Sequence, residues 1–352
     1  MRAVGFSDGS CRITILVGGE ASVETTVDMV YEPLCVESAV AVTAADVSPC
    51  GRLVTLGTAS PNTLQFAVAA AALAQVDTSF TAGSAGIAAD GPFTRISPTT
   101  SYHDNTQIGA SLALQHNPLA PAVLAVACLD GLVRVWDGIN GKDPAVVCAG
   151  HSGAVDSLAW HPNGMYLVTA SSDDATVRLW DAAAGACLRT LLPSAAAAAP
   201  VRLAVHPRGR FACVAYAGRV GPSTVWAELL DLPDGRSAGS TAVLAGPVAA
   251  FGRCAPPSRV VWMGGSTHIG GDGGDDAAPS EAVVGVGPRL HLVRWAAIAA
   301  ATAGAAPRLE PRSEPLAEVI VAPRGCELPS APRIVAAALL TGAPPTLALL
   351  VA

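Results

Sequence analysis

Lysine is almost missing from this chain: of its 21 basic residues Lys142 alone is a lysine, and the rest are arginine. With alanine at about one residue in five, that bias reflects coding composition and carries no functional weight. Charge is scarce too, at 14% of residues, and acidic side chains outnumber basic ones 28 to 21, giving a net charge of -7. No global electrostatic footprint for nucleic acid or an anionic membrane exists, so any such binding needs a local patch. The nine cysteines include no CxxC, and the closest pair, Cys35 and Cys50, is unpatterned. Free thiols in a reducing compartment follow. No basic segment leading into a long apolar run opens the chain, so no secretory signal is expected and a cytoplasmic or nuclear location is the default. The one long charge-free run, residues 334–352, is interrupted by Gly342 and Pro344-Pro345. It reads as two buried strands joined by a turn, not as a membrane span. What is abundant is apolar: 51% hydrophobic residues over 352 can bury a sizeable core and exclude disorder throughout.

Internal repetition organises the sequence. Val123 to Asp137 reads VLAVACLDGLVRVWD and Tyr166 to Asp181 reads YLVTASSDDATVRLWD. Each is an apolar run, an Asp-containing turn and an alternating run ending in Trp-Asp. Trp136 and Trp180 are 44 residues apart, as are Asp130 and Asp174. A second marker precedes each run: His116-Asn117-Pro118, His161-Pro162-Asn163-Gly164 and His206-Pro207-Arg208-Gly209. Period-two alternation over strand-length runs makes each unit a small antiparallel sheet.

With Gly150-His151 near the start of the best unit and Trp180-Asp181 at its end, the chain resembles the WD-repeat β-propeller family. That resemblance covers residues 110–232 most closely, and it implies an all-β fold of four-stranded antiparallel blades. It also implies a buried relay in which His151, Thr169 or Ser171, Asp174 (with Asp173 the less favoured choice) and Trp180 are hydrogen-bonded. The role is architectural, because a buried indole N–H and imidazole must find partners. Asp8, Asp130, Trp136, Asp137 and Asp181 are the remaining repeat markers.

Weaker copies extend the pattern. Val4 to Ile15 carries Asp8-Gly9 in its turn, Ala41 to Phe66 contains Ser48-Pro49-Cys50-Gly51, and Val284 to Trp295 reads as a hairpin turning at Gly287-Pro288. Six two-strand cores plus a half unit from Arg333 to Ala352 give seven blades as the expected count, in one domain spanning 1–352. Pro49 and Pro118 are 69 residues apart, one period plus about 25 residues, which places an insertion within 77–106. A second, glycine-rich and acidic loop occupies 264–281. Residues 1–7 read as a second strand and the final unit as a half, so an incomplete or larger repeat chain is expected.

The residues that could carry chemistry yield to simpler readings. Gly150-His151-Ser152-Gly153 falls short of a nucleophile elbow, and His151 with Asp174 is the pair the relay itself requires. Gly285 to Leu290 lacks the end of a dinucleotide fingerprint, and Asp272, Asp275 and Asp276 fit no calcium loop. Arg202, Arg208, Arg210 and Arg219 lack interleaved aromatics and read as a solvated face or a contact for an acidic protein. No catalytic, cofactor or metal site is expected.

The resemblance then implies a non-catalytic scaffold for other proteins in a multi-subunit assembly, with the loops at 77–106 and 264–281 as contact surfaces. A cytoskeletal or ciliary setting is suggested by the run Ser48 to Gly57, which is similar to repeats of microtubule-associated members. The alternatives are an RNA-associated subunit of a ribosome-biogenesis or splicing-type complex, which the acidic charge disfavours, and a ubiquitin-ligase substrate receptor. Against the latter, Trp136-Asp137 and Trp180-Asp181 lack the basic residue that such receptors carry two positions on.

Overall fold

The proline-containing markers are turns. In Ser48-Pro49-Cys50-Gly51 the Gly51 N–H donates to the Ser48 carbonyl at 2.8 Å and the Ser48 N–H to the Leu53 carbonyl at 2.9 Å. The same two bonds recur at His161 (from Gly164, and to Tyr166) and at His206 (from Gly209, and to Phe211). The last residue of each turn sits at positive φ, 69° at Gly164 and 82° at Gly209, a conformation glycine adopts without steric cost. At Asn117 the side-chain oxygen closes the turn instead, accepting from the N–H groups of Leu119 and Ala120. Each marker therefore reverses the chain between the first two strands of a sheet.

The computed structural model describes residues 2–5, 11–18, 24–31, 40–67, 94–95, 98–104, 106–138, 143–192, 198–218, 224–244, 257–263, 280–286, 289–298, 308–318, 334–340 and 346–351. No helix occurs among them. They fall into two compact units, Met1–Gly150 with Ala182–Ala186, and His151–Asp181 with Cys187–Ala352.

The first unit holds three sheets. Its strands are β1 (Arg2–Gly5), β2 (Cys11–Gly18), β3 (Glu24–Tyr31), β4 (Val42–Val47), β5 (Leu53–Thr58), β6 (Asn62–Ala67), β7 (Thr94–Arg95), β8 (Thr100–His103), β9 (Ser111–His116), β10 (Val123–Cys128), β11 (Val133–Asp137) and β12 (Val146–Cys148). The sheet orders are β1-β2-β3-β7, β4-β5-β6-β8 and β12-β11-β10-β9. Two features depart from the sequence reading. β7 pairs with β3 in parallel, where antiparallel pairing is expected throughout, and Arg2–Gly5 is the outer, first strand of its sheet, not a second strand. Thr100–His103, inside the polar stretch 77–106, is the fourth strand of the second sheet, so the long connection falls within a sheet and not between two. Tyr102, Leu114, Leu124, Val126, Cys128 and Trp136 form the apolar core here.

The second unit holds β13 (Ser157–Trp160), β14 (Tyr166–Ser171), β15 (Thr176–Asp181), β16 (Ala186–Leu191), β17 (Ala198–Val205), β18 (Phe211–Gly218), β19 (Thr224–Asp231), β20 (Arg236–Leu244), β21 (Pro257–Met263), β22 (Ser280–Val286), β23 (Arg289–Ile298), β24 (Arg308–Glu318), β25 (Ile334–Leu340) and β26 (Thr346–Val351). They make three four-stranded sheets in simple sequence order and the hairpin β25-β26. The half unit expected at Arg333 to Ala352 thus contains both strands of an antiparallel pair. Val168, Ala170, Val177, Leu203, Ala212, Val214, Tyr216 and Leu230 pack as one core cluster, and Ala215, Ala227, Leu229, Val284, Val293 and Trp295 as another. The central strands β5, β10 and β14 are buried at every position after the first. Along β18, Ala212, Val214 and Tyr216 enter one core cluster while Cys213 and Ala215 enter the other, so both faces of that strand are covered.

Candidate functional site

The polar residues singled out in the best repeat converge between β14, β15 and the turn before β13. Trp180 Nε1–H donates to Thr169 Oγ1 at 2.8 Å. Thr169 Oγ1 lies 2.7 Å from His151 Nε2, and His151 Nδ1 lies 2.7 Å from Asp174 Oδ2. An indole can only donate and an ionised carboxylate can only accept, so Thr169 accepts from Trp180, and in the neutral ring facing Asp174 it is Nε2 that accepts the Thr169 proton. That leaves Nδ1 as the protonated nitrogen, donating to Asp174. Hydrogen bonding alone thus fixes the neutral tautomer. Burial likewise pushes the His151 pKa below its ordinary value, outweighing the Asp174 carboxylate that acts the other way. Burial would raise Asp174, but its bonds from His151 and Thr176 hold it below the usual range.

The geometry distinguishes the residues left open by the sequence. Thr169 is the shared hydroxyl, whereas Ser171 Oγ receives only a long bond, 3.4 Å, from the Asp174 N–H. Asp173 serves elsewhere, its Oδ2 accepting from the Ala154 N–H at 3.0 Å. A Cβ on Gly153 would stand 2.2 Å from the Asp173 Cβ. The glycine in Gly150-His151-Ser152-Gly153 is therefore required by that close approach. Asp181 closes β15 opposite Tyr166, and Asp137 closes β11 opposite Val123. Asp8 lies outside the described residues, as do Arg219, the acidic trio Asp272, Asp275 and Asp276, and the Gly287-Pro288 turn.

The preceding repeat solves the same problem differently. Leu124 pairs with Trp136 as Leu167 does with Trp180, but Val126 occupies the register of Thr169. With no hydroxyl there, the Trp136 ring is instead tilted against Tyr102, centroids 5.3 Å apart. Arg134, in the register of Arg178, is fully buried. Its Nε donates to Asp104 Oδ2 at 2.5 Å and Nη1 reaches Asp130 Oδ2 at 2.9 Å. Thr106 adds two bonds to Asp104. Burial would raise Asp104, but the bonds from Thr106 and Arg134 lower it to about 2. Arg178 keeps its guanidinium over the Trp180 ring, 5.9 Å from the centroid. Asp130 is therefore an ion-pair partner here, a role its spacing did not disclose.

A second one-way chain was not legible in the sequence at all. Tyr102 O–H donates to Gln65 Oε1 at 3.0 Å, and Gln65 Nε2–H to Thr55 Oγ1 at 3.4 Å. Thr55 Oγ1 lies 3.1 Å from His116 Nε2, and His116 Nδ1 3.0 Å from Asp46 Oδ2. Gln65 donates to the hydroxyl as Trp180 does in the first relay, but from the register of Arg178. The members come from β4, β5, β6, β8 and β9, so no local spacing joins them. The recurring His116-Asn117-Pro118 marker was the one available signal.

Both constellations place a hydroxyl, an imidazole and a carboxylate in line, as nucleophilic catalysis does. In both the hydroxyl is 0% exposed, and in both it already accepts a bond from a third group. No substrate atom can reach it, so the arrangement can pin loop to strand but cannot attack. Among the described residues no group of three His, Cys, Asp or Glu side chains is placed to hold a metal ion, and no helix is long and apolar enough to cross a membrane. Arg202 is engaged by the Asp156 and Val201 carbonyls, and Arg210 by Asp231 at 3.1 Å.

Comparison with known proteins agrees with these repeats. The family model for the WD domain, G-beta repeat matches residues 142–181. The chain is 32% identical over 88 residues to the ribosome biogenesis protein WDR12 homolog of Chlamydomonas reinhardtii, covering 24% of this chain and 18% of that protein. It is 38% identical over 87 residues to human coronin-7, covering 23% of this chain and 9% of that one. The matched segments thus span less than a fifth of either relative. A chain of the crystal structure of the mitotic checkpoint complex superposes with a TM-score of 0.57 at 13% identity, over 95% of this chain and 78% of that one. The last likeness concerns fold alone.

Proposed function

We propose that this chain, which belongs to the WD-repeat β-propeller family, is a non-catalytic scaffold that holds other proteins together in a multi-subunit assembly. The observation that carries this reading is the fate of its polar side chains. The two hydroxyl–imidazole–carboxylate chains and the Arg134 cluster are spent inside sheets, so of these candidates among the described residues none is left to react, and the reading turns to the surface. WD-repeat relatives serve varied complexes, which supports a protein-binding platform in general. The finer assignment is to a cytoskeletal or ciliary assembly in the cytoplasm, taking residues 1–352 as one propeller domain without cofactor. The loops at 77–106 and 264–281 are its proposed contact surfaces. Because β8 lies within the first of these, a loop deletion that tests it should be confined to residues 80–93.

The second reading, an RNA-associated subunit, is favoured by one observation: the similarity to a ribosome-biogenesis protein. Native affinity purification with nuclease, followed by size-exclusion chromatography and mass spectrometry, separates the two. A discrete assembly surviving nuclease supports the protein scaffold. Assembly that collapses with nuclease, and binding that falls steeply with salt, supports the RNA reading. Recovery of cullin-type ligase subunits would favour the substrate-receptor alternative.

A further inference from the structure

Among the described residues, two large apolar side chains stand exposed on adjoining loops at one end of the third sheet: Ile108, 77% exposed, and Leu129, 51% exposed. They lie on different loops, residues 104–110 between β8 and β9, and 129–132 between β10 and β11. Those loops are bolted together. The Leu129 N–H donates to the Ala110 carbonyl at 3.0 Å, and the Ile108 N–H to Asp130 Oδ2 at 3.3 Å. Gly109, at φ 89°, lies so close over Leu129 that a Cβ there would meet its Cδ2 at 2.8 Å. Gln107 Nε2–H holds the Gly109 carbonyl at 3.2 Å. Leu119, Val147, Met165, Leu188 and Leu192 are also exposed, as scattered apolar surface residues ordinarily are.

Beneath this pair lies the Arg134 cluster, in which two carboxylates face one guanidinium, a net charge of -1. Neither loop contains another cation. The Asp104 and Asp130 side chains keep about a tenth of their surface exposed, so the field of that excess charge reaches the rim of the apolar tip.

We infer that Ile108 and Leu129 form a docking surface for a short segment of another protein that presents an apolar side chain next to a basic one. The inference rests on the scaffold reading above and locates one of its contacts. The apolar anchor covers Ile108 and Leu129, and the basic neighbour meets the excess carboxylate charge of Asp104 and Asp130. Because Asp130 and Gly109 already order both loops, little conformational freedom is lost on binding.

The test uses the full chain and a phage-displayed library of random peptides as the probe. Selected sequences are expected to pair an apolar residue with Arg or Lys. The synthetic peptide should lose at least about tenfold in affinity against I108D/L129D, the effect of removing a central apolar contact. It should bind L119D unchanged, and its Glu-substituted version should bind wild type poorly. I108S/L129S, whose exposed positions leave the core untouched, repeats the measurement if the aspartates disturb folding. No selected binder, binders without the basic residue, or equal binding to both double variants would each overturn the site. The scaffold reading would still stand if purification recovers an assembly that I108D/L129D leaves intact.

Discussion

Replacing Thr169 with valine tests the relay without disturbing packing volume. The hydroxyl accepts from Trp180 Nε1 at 2.8 Å and bonds His151 Nε2 at 2.7 Å. Valine keeps the shape and removes both bonds, leaving two polar groups where Thr169 and Trp180 have no exposure. A buried group left without its partner costs ~1–3 kcal/mol, so the expected loss is about 2–6 kcal/mol, against a total stability of about 5–15 kcal/mol for a typical domain. Urea denaturation followed by circular dichroism reads this directly, and the slope should stay constant while the midpoint falls. A double-mutant cycle with His151→Leu should show strong coupling, because removing the imidazole relieves one of the two orphans. A Thr169→Val protein within about 0.5 kcal/mol of wild type, the range of ordinary surface changes, would refute the one-way chain. It would mean that water satisfies these groups.

Four further outcomes follow from the same geometry. Trp180→Ala should destabilise by about 3–5 kcal/mol in the same assay, whereas Asp181→Ala should matter less, and an unchanged melting temperature for the tryptophan variant would misplace the core. Arg134→Met strands Asp104 and Asp130 in the interior and should cost ~3–5 kcal/mol, much of it restored when both aspartates are also made Asn. Stability should fall with acid in two windows. The His151 pKa is depressed on folding, so the unfolded chain binds the proton first, and that contribution is complete above ~6.5 and lost as pH drops below it. Asp104, lowered to about 2 from 3.8, contributes ~2 kcal/mol above pH ~4 that disappears as pH falls towards 2, which an equilibrium series at constant ionic strength would resolve. Finally, alkylation followed by mass spectrometry should label Cys50, whose exposed thiol is lowered by its Ser48 and Arg52 bonds, well before Cys128, which burial pushes up to about 12.

How much of this was legible in the sequence depended on whether a device was local. The Ser-Pro, His-Pro and Asn-Pro markers announced their turns because the whole bond pattern lies within six or seven residues. The His151 relay was readable because all four members sit in one repeat, although only geometry could choose Thr169 over Ser171. In the preceding repeat the same Val-Arg-x-Trp-Asp pattern hid a different interior. Arg134 and Arg178 share a register, but only Arg134 has Asp104 within reach, and Asp104 lay in a stretch whose polarity suggested an insertion. The chain from Tyr102 to Asp46 joins residues up to 70 positions apart, beyond any periodicity. Parallel pairing of β7 with β3 was likewise invisible, since Thr94 and Arg95 are too few to show alternation.

The return of β8 to its sheet bears on the order in which the molecule assembles. From the end of β6 at Ala67 to the start of β8 at Thr100 the chain runs 32 residues, whereas β15 reaches β16, and β19 reaches β20, across four. Closing the longer connection is three doublings more costly, about 2 kcal/mol of chain entropy. Sheets built on four-residue connections can therefore form early and from local information, while the one completed by β8 waits on a distant strand. Tyr102 arrives with that strand, bringing the hydroxyl that starts the second relay and the ring that covers Trp136. The third sheet's tryptophan is consequently expected to find its cover only after its neighbour is finished, and amides along that seam should exchange before those of the sheets closed by four-residue connections.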